Sequence, residues 1–207
     1  MTDLEEPTQE PNSDSNVDLT AVEIGKKLFS LRDYTPIPLI IILLFTAEPN
    51  VLSSTLGILF IVFGELIRIY SVAFIGSVSR TRSDSTGGNV VTSGPFGYVR
   101  NPLYVGNFFI TMGIALFSGV IWFVLLSAAL FAVQYYYIVK YEEHNLLKKF
   151  GAEFEDYLSK VPAWFPKEKI KLSALDWPES FGPSIKSEKR TLSAIAIIVL
   201  ALVLISI

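Results

Sequence analysis

The chain has 207 residues, 51% hydrophobic and only 18% charged, with 15 Phe, one His, no Cys and a formal net charge of -3. A soluble domain of this size carries about 25% charged residues and at most half apolar ones, so the composition leans toward lipid. The lack of Cys excludes a disulfide scaffold, a cysteine–zinc site and a thiol nucleophile. His144, read as a surface residue, leaves little material for a His-ligated metal or a Ser-His-Asp triad, and the charge does not point to nucleic acid.

Residues 1–20 hold Asp3, Glu5, Glu6, Glu10, Asp14 and Asp18 and no Lys or Arg. The rest of the chain therefore carries 17 cations against 14 anions, a net charge of +3. The acidic stretch is rich in Pro, Ser, Asn and Thr and cannot bury enough apolar surface to offset its ordering entropy, which predicts a disordered tail. It also lacks the basic start and apolar run of a secretory signal peptide. The membrane core is expected over 21–190 and a last transmembrane helix over 191–207.

Apolar runs follow at 36–47, 52–75, 103–117, 120–139 and 192–207. A helix needs about 20 residues to cross a bilayer, so the second and fourth runs qualify outright. The third is short, but Ser118-Gly119 turns it tightly into the fourth and makes a hairpin. The first has Pro36 and Pro38 in its opening turn, where proline is tolerated; it either re-enters or borrows Leu31 to Thr35 to cross. The fifth stands at the lower limit of length.

If all five cross, Lys26, Lys27, Arg32, Arg80, Arg82, Arg100 and the basic residues from Lys140 to Arg190 share one face, while the other holds Glu48 and no cation. The positive-inside rule makes the basic face cytoplasmic. The expected fold is thus all-α: a multi-span membrane helical bundle of about five transmembrane helices. Its N-terminus is cytoplasmic and its C-terminus lies on the opposite side of a bacterial inner membrane or endoplasmic reticulum.

Two polar segments on the basic face carry the chemistry. In SVSRTRSDSTGGNVVTSGPFGYVRN, over 77–101, Gly87-Gly88 and Gly94-Pro95 mark turns, and Arg100-Asn101-Pro102 opens the third apolar run as a helix. Free N–H groups at that helix start suit a carboxylate or phosphate, or the arginine simply snorkels beside a cap. In KYEEHNLLKKFGAEFEDYLSKVPAWFP, over 140–166, Leu146, Leu147, Phe150, Phe154, Tyr157, Leu158 and Val161 form one apolar stripe. The spacing predicts an amphipathic helix, broken or bent at Gly151, that roofs a pocket between the spans. Glu142 and Glu143 are either a solvated helix exit or acceptors for a cationic or hydroxyl-bearing ligand. Within the second run, Glu65 and Arg68 stand three apart on one face. They form either a functional site or a structural pair, with Arg68 snorkelling toward Gly76.

SGPFGYVRNPLYVGN followed by EEHNLLKKFGAEFEDYLSKVPAWFP resembles the isoprenylcysteine carboxyl methyltransferase and phospholipid methyltransferase family of integral membrane enzymes. The resemblance covers about residues 55 to 166. Asn101 stands where the family usually has His, Phe154 replaces a Tyr, and Ile138 occupies the place of an arginine that contacts substrate in the prenylcysteine enzymes. The resemblance implies S-adenosylmethionine as methyl donor, bound on the cytoplasmic side. Carried over, Val90, Val91, Phe96, Asn101, Pro102, Leu103, Tyr104, Glu142 and Glu143 bind the cofactor, with Gly88 and Asn89 at its edge and Arg100 positioning an anion. The acceptor is a lipidic or prenylated molecule entering from the bilayer, methylated on a carboxyl oxygen or a headgroup nitrogen; neither metal nor nucleic acid takes part. Two other classes stay open: an NADPH-dependent membrane reductase, for which Arg80, Arg82 and Arg100 could hold a phosphate, and a non-catalytic membrane scaffold.

Overall fold

A computed structural model describes residues 18–75, 90–170 and 175–205. Among them lie seven α-helices: α1 (Leu19–Leu31), α2 (Pro36–Thr46), α3 (Val51–Ile75), α4 (Pro102–Phe117), α5 (Ile121–Phe150), α6 (Ala152–Lys160) and α7 (Gly182–Ile205), with a 3-10 turn at Gly94–Gly97. No strand occurs among the described residues. The all-α membrane bundle expected from the apolar runs is the fold observed. Of the acidic stretch, only its end is described: Asp18 caps α1 by accepting from the Ala21 N–H at 3.1 Å.

Two helices, α3 and α5, are each long and apolar enough to cross a membrane. The first apolar run proves too short to stand alone. α1 and α2 together pass as one span bent by 59° at the break between them, and the polar residues at 32–35 supply the break. α4 is apolar but only 16 residues long. α7 begins well before Leu192, and its first half carries Lys186, Glu188, Lys189 and Arg190.

The tightest seam joins α3 to α4 and depends on glycine. A Cβ at Gly64 would stand 2.6 Å from the Gly106 carbonyl oxygen, and one at Gly57 2.7 Å from that of Gly113. Each helix therefore carries two glycines seven residues apart, matched head to tail. Without a solvent-driven hydrophobic force between helices in lipid, such close backbone approach supplies the packing energy. Gly25 plays the same part between α1 and the Tyr137 and Tyr141 turn of α5.

The hairpin predicted at Ser118-Gly119 is present, with Gly119 at φ +75°, a conformation open to glycine. The Glu48 N–H donates to the Ser118 carbonyl at 2.7 Å, so the α2–α3 loop and the α4–α5 turn meet at one end of the bundle. Leu43, Ala115, Phe117, Phe123 and Leu202 form the apolar core there. The polar segments gather at the other end.

α5 runs on past the apolar stretch to Phe150, where Gly151 at φ +53° breaks it from α6. Phe154 and Tyr157 of the stripe are buried, while Lys148, Lys149, Glu153, Glu155, Asp156 and Lys160 lie outside.

Candidate functional site

The polar end is built around the start of α4. Pro102 takes the first helical position, where a missing N–H costs nothing. Arg100 and Asn101, just before it, face the segment that follows α6. The Arg100 guanidinium donates to Glu143 Oε1 through Nε at 2.9 Å and Nη2 at 2.7 Å, and to the Val161 carbonyl through Nη1 at 2.6 Å. Its backbone N–H reaches the Pro162 carbonyl at 2.9 Å, and Asn101 Nδ2 the Ala163 carbonyl at 3.2 Å. Arg100 thus closes the carbonyl end of α6, where a cation is favoured by the helix dipole.

Glu142, the neighbour of Glu143, points elsewhere. Adjacent helical residues diverge by about 100°, so one glutamate meets the roof and the other the interior. Glu142 Oε2 accepts from the Tyr104 hydroxyl at 2.7 Å. The Tyr104 ring lies 4.6 Å from that of Tyr135, whose hydroxyl accepts from Asn107 Nδ2 at 3.1 Å. Asn107 Oδ1 in turn accepts from Arg68. One polar line therefore crosses the bundle from α5 through α4 to α3.

It ends on α7. Arg68 pairs with Glu188 at 2.7 Å, with side-chain exposures of 13% and 0%, and stands 3.8 Å from Glu65. Arg68 does not snorkel toward Gly76; it turns inward, because Glu188 and Asn107 offer it acceptors inside the bundle. The pairing of Glu65 with Arg68 seen in the sequence is present but is the longer of the two.

Of the other residues named from sequence, Phe96 is buried, and its carbonyl accepts from Tyr157 at 2.8 Å. Burial pushes the Tyr157 hydroxyl well above the usual tyrosine value, so it stays a proton donor. The Val90 N–H approaches Glu153 of α6 at 3.3 Å, which brings loop and roof together. Pro102 is buried, and Val91 and Leu103 are half-buried. Ile138 is fully buried and His144 half-buried. Gly88, Asn89, Arg80 and Arg82 lie outside the described residues. Arg100, Asn101, Tyr104, Glu142 and Glu143 are thus gathered at one end of the bundle.

Tyr135 and Glu188 have no motif to mark them, though a lone acid in the approach to an apolar helix is itself a signal; Asn107 closes the 93–107 motif, and Arg32 counts in the sequence only as one cation of the basic face. Arg32, at the end of α1, brings its charge close enough to act on Glu142, Tyr104 and Tyr135. Among the described residues no group of three or more His, Asp and Glu side chains is placed to hold a metal ion.

Fold and site together define a polytopic helical membrane protein with a polar corner roofed by an amphipathic helix. The phospholipid methyltransferase family model matches residues 52–153. That stretch, just short of half of the chain, is similar to the phospholipid methyltransferase and isoprenylcysteine carboxyl methyltransferase family of integral membrane proteins. It is 31% identical over 113 residues to the nickel-cobalt-cadmium resistance protein NccN of Alcaligenes xylosoxydans xylosoxydans, covering 55% of this chain and 49% of the relative. It is 30% identical over 122 residues to the protein-S-isoprenylcysteine O-methyltransferase of Xenopus laevis, covering 55% and 40%. To the human protein of that name it is 31% identical over 126 residues, covering 55% and 41%. The chain spans about half the length, or less, of these relatives. No solved structure matches it significantly.

Proposed function

We propose that the chain transfers a methyl group from S-adenosylmethionine to a lipidic or prenylated acceptor at the cytoplasmic membrane face, on a carboxyl oxygen or a headgroup nitrogen. The observation that carries this reading is the corner in which Tyr104, in the first turn of α4, meets Glu142 of α5, inside the family-matched stretch. Bound there, S-adenosylmethionine supplies an electrophilic methyl group on a sulfonium sulfur.

The residues present suit such a donor. One oxygen of Glu142 is held by Tyr104; the other accepts no hydrogen bond from the described residues and can take one from an ammonium or a ribose hydroxyl. The Tyr104 ring offers an aromatic face to a cation. Val90, Val91 and Leu103 are half-buried apolar wall, and Asn101 and Pro102 set the start of α4. Arg100 and Glu143 act on this corner by holding the roof over it, which excludes water. A carboxylate acceptor is ionised at neutral pH, so alignment suffices and Asn101 need not carry a titratable proton.

The orientation belongs to the same proposal. α4 lies along α3 through both glycine pairs, which supports its crossing with α3. The bent α1–α2 pair, α3, α4, α5 and α7 then make five spans with a cytoplasmic N-terminus and an opposite C-terminus. The chain ahead of α1 is acidic in composition, and the apolar part of α7, from Leu192 to Ile205, forms the last span.

Calorimetric titration of the detergent-purified chain tests the reading. We expect S-adenosylmethionine to bind with a dissociation constant of roughly micromolar order, and Glu142→Gln to weaken it about tenfold or more, the worth of one charge-assisted hydrogen bond. Binding of NADPH alone would establish the reductase instead; binding of neither would leave a scaffold.

A further inference from the structure

Three arginines stand on or beside the polar corner, and they differ in how their donors are used. Arg100 is engaged by Glu143 and the Val161 carbonyl, Arg68 by Glu188 and Asn107. Arg32 is not engaged in this way. Among the described residues its guanidinium donates no hydrogen bond; its closest anion is Asp33 at 3.9 Å, and its Cζ lies 4.0 Å over the Phe29 ring. Yet only 20% of the side chain is exposed. Beyond the long contact to the exposed Asp33 and the Phe29 ring its donors are unused by the protein, and a largely covered guanidinium gains when a closer anion meets it.

The packing of α1 decides where that anion would sit. Gly25 lets α1 lie against the backbone of α5, and the Phe29 ring meets the Tyr141 ring at 5.6 Å. Arg32, Phe29 and Tyr141 therefore form a ladder that ends one residue from Glu142. The flanking residues Leu31 and Tyr34 are 51% and 60% exposed, and the α1–α2 bend follows directly. A ligand reaching Arg32 between such apolar neighbours approaches from lipid. Its planar fork of donors matches a carboxylate or a phosphate.

We infer that Arg32 binds the anionic headgroup, a carboxylate or a phosphodiester, of the amphiphile that is methylated, and holds it beside Glu142. The inference rests on the proposed methyl transfer and adds a specificity-determining residue at the C-terminal cap of α1, outside the family-matched residues 52–153. Glu142 does not compete for that role: it is already hydrogen-bonded to Tyr104 and serves the cationic donor.

The test uses the full chain in detergent and three probes: N-acetyl-farnesylcysteine with a free carboxylate, its methyl ester, and dodecyl methyl phosphate, a phosphodiester. Calorimetry should show at least one anionic probe binding the wild type about tenfold more tightly than the ester. The anionic probe that shows the preference identifies carboxylate or phosphodiester as the headgroup. Arg32→Gln should abolish the preference, Arg32→Lys should keep a part of it as a point charge, and S-adenosylmethionine affinity should stay within about twofold in both. If the Gln variant does not fold, the Lys variant and the wild-type ratio carry the test. No preference in the wild type, an undiminished one in Arg32→Gln, or a loss of S-adenosylmethionine affinity in either variant overturns the assignment. The last outcome would give the guanidinium to the cofactor carboxylate. A wild type that discriminates acid from ester but binds no S-adenosylmethionine would sink the methyl-transfer reading and leave the headgroup site standing.

Discussion

Two arginine–glutamate pairs of equal length divide the labour in this molecule. Arg68–Glu188 and Arg100–Glu143 both close at 2.7 Å. The first joins α3 to α7 inside the bundle, with Glu188 fully buried. The second joins the start of α4 to α5 at the bundle end, with 15% and 18% of its side chains exposed, and also gathers the carbonyl end of α6. In an apolar interior an ion pair is indispensable once made, because removing either partner strands the other charge. At the bundle end water can take over part of the loss, so the pair there shapes a roof more than it holds the fold together.

Mutation can break that contrast. Glu188→Ala, or Arg68→Ala, should cost about 3–5 kcal/mol in reversible denaturation, whereas the double change Arg68→Met with Glu188→Leu should recover only a part of it, because Glu65 loses its neighbouring cation. A double variant as unstable as the singles would show that the pair does more than neutralise itself. Arg100→Ala should cost less, about 1.5–3 kcal/mol, and its main effect should be local: faster amide exchange over 152–166 than over α3. Equal exchange in both regions would erase the distinction. Tyr157→Phe removes a single neutral hydrogen bond to the Phe96 carbonyl and should cost about 0.5–1.5 kcal/mol, read as a small shift in the unfolding midpoint.

Local chemistry was legible where one segment carried its own signal. The runs at 52–75 and 120–139 lie on α3 and α5, and Gly151 ends α5 as its place in the stripe foretold. Glu142 and Glu143 drew attention as a pair, but their division was not visible. It depends on Tyr104 lying to one side of α5 and Arg100 to the other. Glu65 and Arg68 read as either a functional site or a structural pair with Arg68 snorkelling toward Gly76; the shorter partner of Arg68 is 120 residues away. The matched glycines at 57, 64, 106 and 113 were in plain sight, yet their spacing acquires meaning only when α3 and α4 run antiparallel. α1 carries no long apolar run because it is amphipathic, so Arg32 reads in the sequence only as a cation of the basic face and not as a neighbour of Glu142.

What the chain alone determined is the apolar helical runs, the breaks at glycine and proline that bound them and the polar residues near them. Hydropathy, capping and turn formation are properties of neighbours in sequence, and lipid leaves the backbone little choice but helix. The tertiary structure decided which polar groups share a partner. A buried charge takes the nearest acceptor in space, and α7, α1 and the roof bring theirs from distant parts of the chain.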